Sequence, residues 1–157
     1  MAYVSFLCLF SADQPDYLNE ETAQDQLLNM TAFCARLTVV GVLERSEYFV
    51  WAMRFLEQEG RSTSIKMSVA ALWALCSGQF HFYKMVLHPE PETPHYEQIY
   101  QTFPCYQGPI FGRARWDFWH KKMAQVCEDE KNIDDEAREL GRKAADLMAS
   151  LSRNVQF

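Results

Sequence analysis

A chain of 157 residues is the size of one domain and can bury a real core; 48% apolar and 23% charged residues exclude a disordered composition. A formal charge of −6 argues against a nucleic-acid partner, because phosphate binding needs a basic footprint. Part of that excess is local, with Glu128, Asp129, Glu130, Asp134, Asp135, Glu136 and Glu139 in one window, read as a solvated junction between two helices.

Five cysteines are scattered without a C-x-x-C pair, which fits a reducing compartment and a cytoplasmic location better than a disulfide framework. The opening MAYVSFLCLFSADQ resembles a signal peptide only faintly. It lacks a positive start, and Phe10 is too large for the position three before a cut after Ala12. Its apolar run is also far below the roughly 18 residues of a membrane span, so no membrane partner is expected. Residues 1–20 read as an apolar arm packing on the domain or on a partner. Secretion is the minority reading, and only there does the sequon at Asn29 matter.

Apolar spacing predicts an all-α fold, a compact bundle of about five helices in a single domain spanning 1–157. The first helix covers about 22–40, with Leu27, Met30, Cys34 and Leu37 as its stripe and Gly41 as its stop. The second follows the N-cap Ser46 and runs to Glu59, before Gly60. It is apolar nearly all round, and Arg54 is expected to pair with Glu57 at i,i+3. The third spans about 63–87 and forms the hub, with Ala70, Ala74, Ser77 and Gly78 as a strip for close helix approach.

Residues 88–112 hold five of the six prolines and break the helical pattern. A loop this long is functional or disordered. Tyr96, Ile99, Tyr100, Phe103 and Tyr106 argue for an ordered loop with its aromatics turned down. The fourth helix starts at Gly112 or Arg113 and carries Trp116, Trp119, His120 and Met123 on one face. Its tryptophans are expected to plug a hub of Trp51, Trp73 and Phe80, Phe111 to staple on Trp116, and Arg115 and Asp117 to lie at the surface. The last helix opens at an Asn132 N-cap and lays a seam of Ile133, Ala137, Leu140, Ala144, Leu147 and Leu151 against a neighbour.

These stretches, LNMTAFCARLTVVGV, YFVWAMRFLEQE, VAALWALCSGQFHFYKM, GPIFGRARWDFWHKKM and IDDEARELGRKAADLM, resemble a family of fungal proteins known only as a domain of unknown function. The likeness covers roughly residues 27–150. It implies an all-helical fold, a fungal source and no established activity. The chain departs from that pattern by having less helix upstream and an expanded segment at 88–106.

No motif carries chemistry. His81, His88, His95 and His120 lack the i,i+4 or H-E-x-x-H spacing of zinc ligands, so neither metal nor cofactor is expected. No Gly-rich phosphate loop or nucleophile elbow occurs. Cys76/His81 and His120/Cys127 are too widely spaced for activation. The remaining catalytic candidates are His120, His81 and Tyr83, with Glu57 beside them. Trp73, Phe80, Trp116, Trp119, Tyr100 and Tyr106 are the candidates for lining a ligand cavity. The expected function is a non-catalytic protein–protein interaction or self-association module, with a protein partner or a homodimer. The competing reading is a binder of a small apolar molecule, or an acid–base enzyme of isomerase or cyclase type in fungal secondary metabolism.

Overall fold

The computed structural model describes residues 21–43, 46–129 and 131–155. The predicted N-terminal arm lies outside the described residues. Among them every regular element is helical, and the all-α expectation holds.

Helix α1 (Glu21–Val39) ends as its sequence dictates. Gly41 takes φ +75°, and the amides of Val42 and Gly41 turn back to the carbonyls of Leu37 and Thr38 at 3.0 and 3.2 Å. This is the paired closure that a left-handed glycine makes possible. Helix α2 (Glu47–Met53) tightens into a 3₁₀ turn over Arg54–Glu57. Helix α3 (Ser64–Phe82), capped by the Thr63 hydroxyl, passes into one turn of π-helix over Tyr83–Leu87. It is buried on almost every side and is the hub, with α1, α2 and α6 packed around it.

The proline-rich segment contains a helix that the sequence reading did not anticipate. Helix α4 (Pro94–Ile99) begins on a proline, with the Thr93 hydroxyl accepting from the Tyr96 amide. Proline forbids continuing a helix but suits its first position, where no amide donor is needed. Helix α5 is Arg113–Asp129 and α6 is Asp135–Asn154. The N-cap of α6 is Asp134, not Asn132. Its carboxylate accepts from the Ala137 amide at 2.9 Å, and its own amide donates to Ser64 Oγ at 2.9 Å, joining the starts of α6 and α3.

Helices α1 and α6 both pack through their smaller residues. Helix α6 buries Ala137, Gly141, Ala144, Ala145, Met148 and Ser152, while Leu140 and Leu151 of the expected seam are only partly buried. A Cβ on Gly141 would stand 2.6 Å from Cys127 Sγ and 2.7 Å from Met67 Sδ, so this glycine is where α6 meets both α3 and α5. Of the predicted stripe, α1 buries only Leu27; Thr31, Ala35 and Thr38 are buried in place of Met30, Cys34 and Leu37.

The tryptophans plug the core against different partners from those expected. Trp116 stacks on Phe49 at 5.7 Å, meets Phe82 edge-on, and donates to the Met148 carbonyl at 3.0 Å. Trp51 is only partly buried and donates to the Ile99 carbonyl. Phe111 packs on Tyr96 and Tyr100 and not as a staple on Trp116.

Candidate functional site

The 3₁₀ turn after α2 points Glu57 inward, and the first turn of α5 does the same for Arg115; both side chains are fully buried. The guanidinium grips the carboxylate from Nε at 2.8 Å and from Nη2 at 3.1 Å. Trp119 Nε1 adds a third donor at 2.8 Å, and the Phe103 amide a fourth at 3.1 Å. A carboxylate has about four lone-pair positions, so Glu57 is saturated.

Arg115 spends its remaining N–H groups on the overlying loop. They reach the carbonyls of Tyr100 at 2.5 Å, Ile110 at 3.1 Å and Gln101 at 3.2 Å. The Cys105 amide donates to the Glu57 carbonyl, and Trp51 and Arg54 both donate to the Ile99 carbonyl. The ring of Trp119 lies 4.9 Å beneath the Arg115 guanidinium. The knot therefore clamps the 88–112 segment onto the helices. Every acceptor position of the carboxylate is filled, and neither side chain is open to solvent. Its chemistry is positional.

Two sequence expectations are corrected here. Arg115 is a core residue and not a surface one, because it has a buried carboxylate to meet. Arg54 does not pair with Glu57 through a hydrogen bond, because Arg115 and Trp119 occupy that carboxylate. One signal was available: Arg115 stands four residues before Trp119, on the same helical face. Glu57, at the end of an apolar helix, carried no comparable sign.

The candidate catalytic residues are dispersed. His81 is buried against Phe49, 4.3 Å away and stacked, with Trp73 and Phe80 edge-on. Neither ring nitrogen has a hydrogen-bond partner among the described residues, and burial pushes its pKa down to about 3. It is a neutral core histidine. Tyr83 is exposed, its ring beside His88. His120 is partly buried, with Nε2 3.4 Å from Asp117 Oδ1. Burial lowers its pKa, against the opposing pull of Asp117.

Of the candidate lining residues, Trp119, Tyr106 and the Tyr100 carbonyl gather at Arg115. Burial, followed by Glu47, raises the Tyr100 hydroxyl to about 12. Trp73 and Trp116 are buried in the core, and Phe80 is partly buried under Lys84. The surface carries cavities of about 410, 110, 530 and 60 Å³. Among all these candidates only Tyr100 lines one of the four, the 110 Å³ cavity. Among the described residues no three His, Cys, Asp or Glu side chains are placed to hold a metal, and no helix is long and apolar enough to cross a membrane.

The outward face of α1 is the largest feature that packing leaves unexplained. Phe33 is 55% exposed, Met30 40%, Val40 69% and Val42 71%, with half-buried Leu37 between them. The helix thus presents Met30 and Phe33 to solvent, and the turn after it Val40 and Val42, while Leu27, Thr31 and Thr38 are buried.

No curated protein and no solved structure matches the chain. A family profile described as "Protein of unknown function (DUF3632)" matches residues 5–123, from the N-terminal segment into α5 and short of α6. Three quarters of the chain falls within that match, and the chain belongs to the DUF3632 family.

Proposed function

We propose that the protein is a non-catalytic helical module that self-associates through the outward face of α1, a second copy of the chain being the occupant. The inverted burial of α1 carries this reading: Met30, Phe33 and Val40 face out while Thr31, Ala35 and Thr38 face in. Folding alone gains more from the opposite arrangement, since burying a large apolar side chain is worth about 1.5–3 kcal/mol.

Spacing and area favour another copy. Met30, Phe33, Leu37 and Val40 repeat at three and four residues, the period of a two-helix seam. The exposed side chains leave on the order of 400 Å² of apolar surface, within the roughly 300–600 Å² of a typical monomer's largest patch, which is often functional. Two such faces with their polar rims approach the roughly 1,000 Å² that a specific interface requires. The saturation of the Glu57–Arg115 knot supports a non-catalytic role, and the free thiols of Cys34, Cys76, Cys105 and Cys127 support a cytoplasmic one.

Sedimentation analysis of the full chain across a concentration series tests the proposal. A concentration-dependent dimer is expected, and Phe33→Asp is expected to yield a folded monomer. A wild-type chain that stays monomeric, or a Phe33→Asp dimer as tight as wild type, overturns it; the second outcome moves the interface to another face.

A further inference from the structure

The 3₁₀ turn, the start of α3 and Phe103 of the overlying segment border a cleft of about 60 Å³ lined by Arg54, Phe55, Gln58, Lys66 and Phe103. Two of the five side chains are cations, and none is an acid. The nearest buried carboxylate, Glu57, is fully used by Arg115, Trp119 and the Phe103 amide.

The cations are under-neutralised. Arg54 gives Nη2 to the Ile99 carbonyl, and its Nε is buried without a hydrogen-bond partner among the described residues. Lys66 reaches only the Arg61 carbonyl, at 3.3 Å. Each sits near a further cation: burial first, then Arg115, lowers the Arg54 pKa to about 10, against a smaller opposing pull from Glu57, and burial followed by Arg61 lowers that of Lys66. In a chain of net charge −6, such a local excess of positive charge is a place for an anion.

The cleft does not stand alone. Gln58 and Phe103 also line an open groove of about 530 Å³ that continues over Pro104 and Cys105. Glu59, at the rim of that groove, disfavours a second negative charge on whatever lies there. The small cleft has room for the two oxygens of a carboxylate, since about 10–15 Å³ of such space holds one water. An apolar ring or chain attached to it then covers Phe103 and Pro104.

We infer that Arg54, Lys66 and Gln58 bind the carboxylate of a small organic monoacid whose apolar body lies in the Phe103–Pro104–Cys105 groove. The site is independent of the α1 interface, and it differs from the enclosed Trp- and His-lined cavity that the sequence suggests for a small-molecule binder.

Titration calorimetry of the full chain with 2-naphthoate tests this, with 2-naphthamide as the neutral control and sulfate as the bare anion. Naphthoate is expected to bind, naphthamide at least tenfold more weakly, and Lys66→Met to weaken naphthoate at least tenfold. Lys66 is partly buried, so a cooperative thermal transition of Lys66→Met is the control that it folds before affinities are compared. The inference falls if naphthoate does not bind, if naphthamide binds as well, or if Lys66→Met leaves affinity unchanged. It also falls in its amphipathic form if sulfate binds as tightly as naphthoate.

Discussion

Arg115 meets both carboxylate oxygens of Glu57, at 2.8 and 3.1 Å, across a sequence separation of 58 residues and with neither side chain exposed. Removing one partner leaves the other as an uncompensated buried charge, which costs about 3–5 kcal/mol. Arg115→Met and Glu57→Gln are each expected to lose stability on that scale in urea denaturation. Because Arg115 also holds the carbonyls of Tyr100, Gln101 and Ile110, Arg115→Met should expose the 88–112 segment to protease first. The double variant Glu57→Leu/Arg115→Met should cost less than the sum of the singles. A loss below about 1 kcal/mol for Arg115→Met, the range of an exposed pair, is incompatible with this account.

His81 predicts a pH dependence with a defined sign. Its folded pKa is pushed by burial to about 3, below the 6.5 of the free side chain. Above pH 6.5 the imidazole is neutral in both states and has no effect. As pH falls below 6.5 the unfolded chain takes up a proton that the folded chain refuses, and stability is lost progressively down to about pH 3. At about 1.4 kcal/mol per unit, some 2 kcal/mol is gone by pH 5. The ring is surrounded by Phe49, Trp73 and Phe80, and the Lys84 charge opposes its protonation further. His81→Phe fits the stack on Phe49 and should remove that slope. Denaturation curves of the two proteins from pH 7.5 to 5 provide the measurement, and parallel slopes would refute the assignment.

Helix class and most boundaries are legible from spacing, because bulky apolar residues do recur at helical intervals and Gly41, at φ +75°, does end α1. The second helix stops short of the expected Glu59: it tightens at Arg54 and ends at Glu57, before an extended Gln58, so Gly60 is not its stop. What spacing misjudges is which face turns inward. Ranking by hydrophobicity selects Met30 and Leu37 in α1 and Leu140 and Leu151 in α6. Close helix contact instead selects Ala35 in α1 and Gly141 and Ala145 in α6, beside the Ala137 and Ala144 of the expected seam, since short side chains let backbones approach. The site was less legible still. A buried arginine is credible only once its carboxylate is known, and Glu57 lies too far along the chain for any local pattern to pair them. Arg54, Lys66 and Phe103 likewise converge only in three dimensions.

Thr31 tests the inverted packing of α1. Its side chain is buried, and its hydroxyl has no hydrogen-bond partner among the described residues. Thr38, by contrast, donates to the Cys34 carbonyl at 3.0 Å. An unpaired buried hydroxyl costs about 1–3 kcal/mol, and an apolar group of the same shape does not. Valine matches threonine in shape and in helix propensity. Thr31→Val is expected to gain about 1 kcal/mol, while Thr38→Val, which discards a made bond, should gain less. A Thr31→Val protein less stable than wild type would mean that the hydroxyl has a partner and that α1 does not bury a bare polar group.

Gly141 sets the distance at which α6 lies on its neighbours. Alanine there improves helix propensity by about 1 kcal/mol. Its methyl group, however, would stand 2.6 Å from Cys127 Sγ and 2.7 Å from Met67 Sδ, both in fully buried side chains. Cys127 is too short to swing aside, and overpacking a filled core costs about 1–3 kcal/mol. Gly141→Ala should therefore be destabilising on balance, with a lower thermal midpoint. The penalty should shrink when Cys127→Ala removes one of the two obstructing sulfurs, so the pair should show favourable coupling in a double-mutant cycle. If Gly141→Ala instead raises the midpoint, α6 has room to move away from α3, and the glycine is not what holds the two helices close.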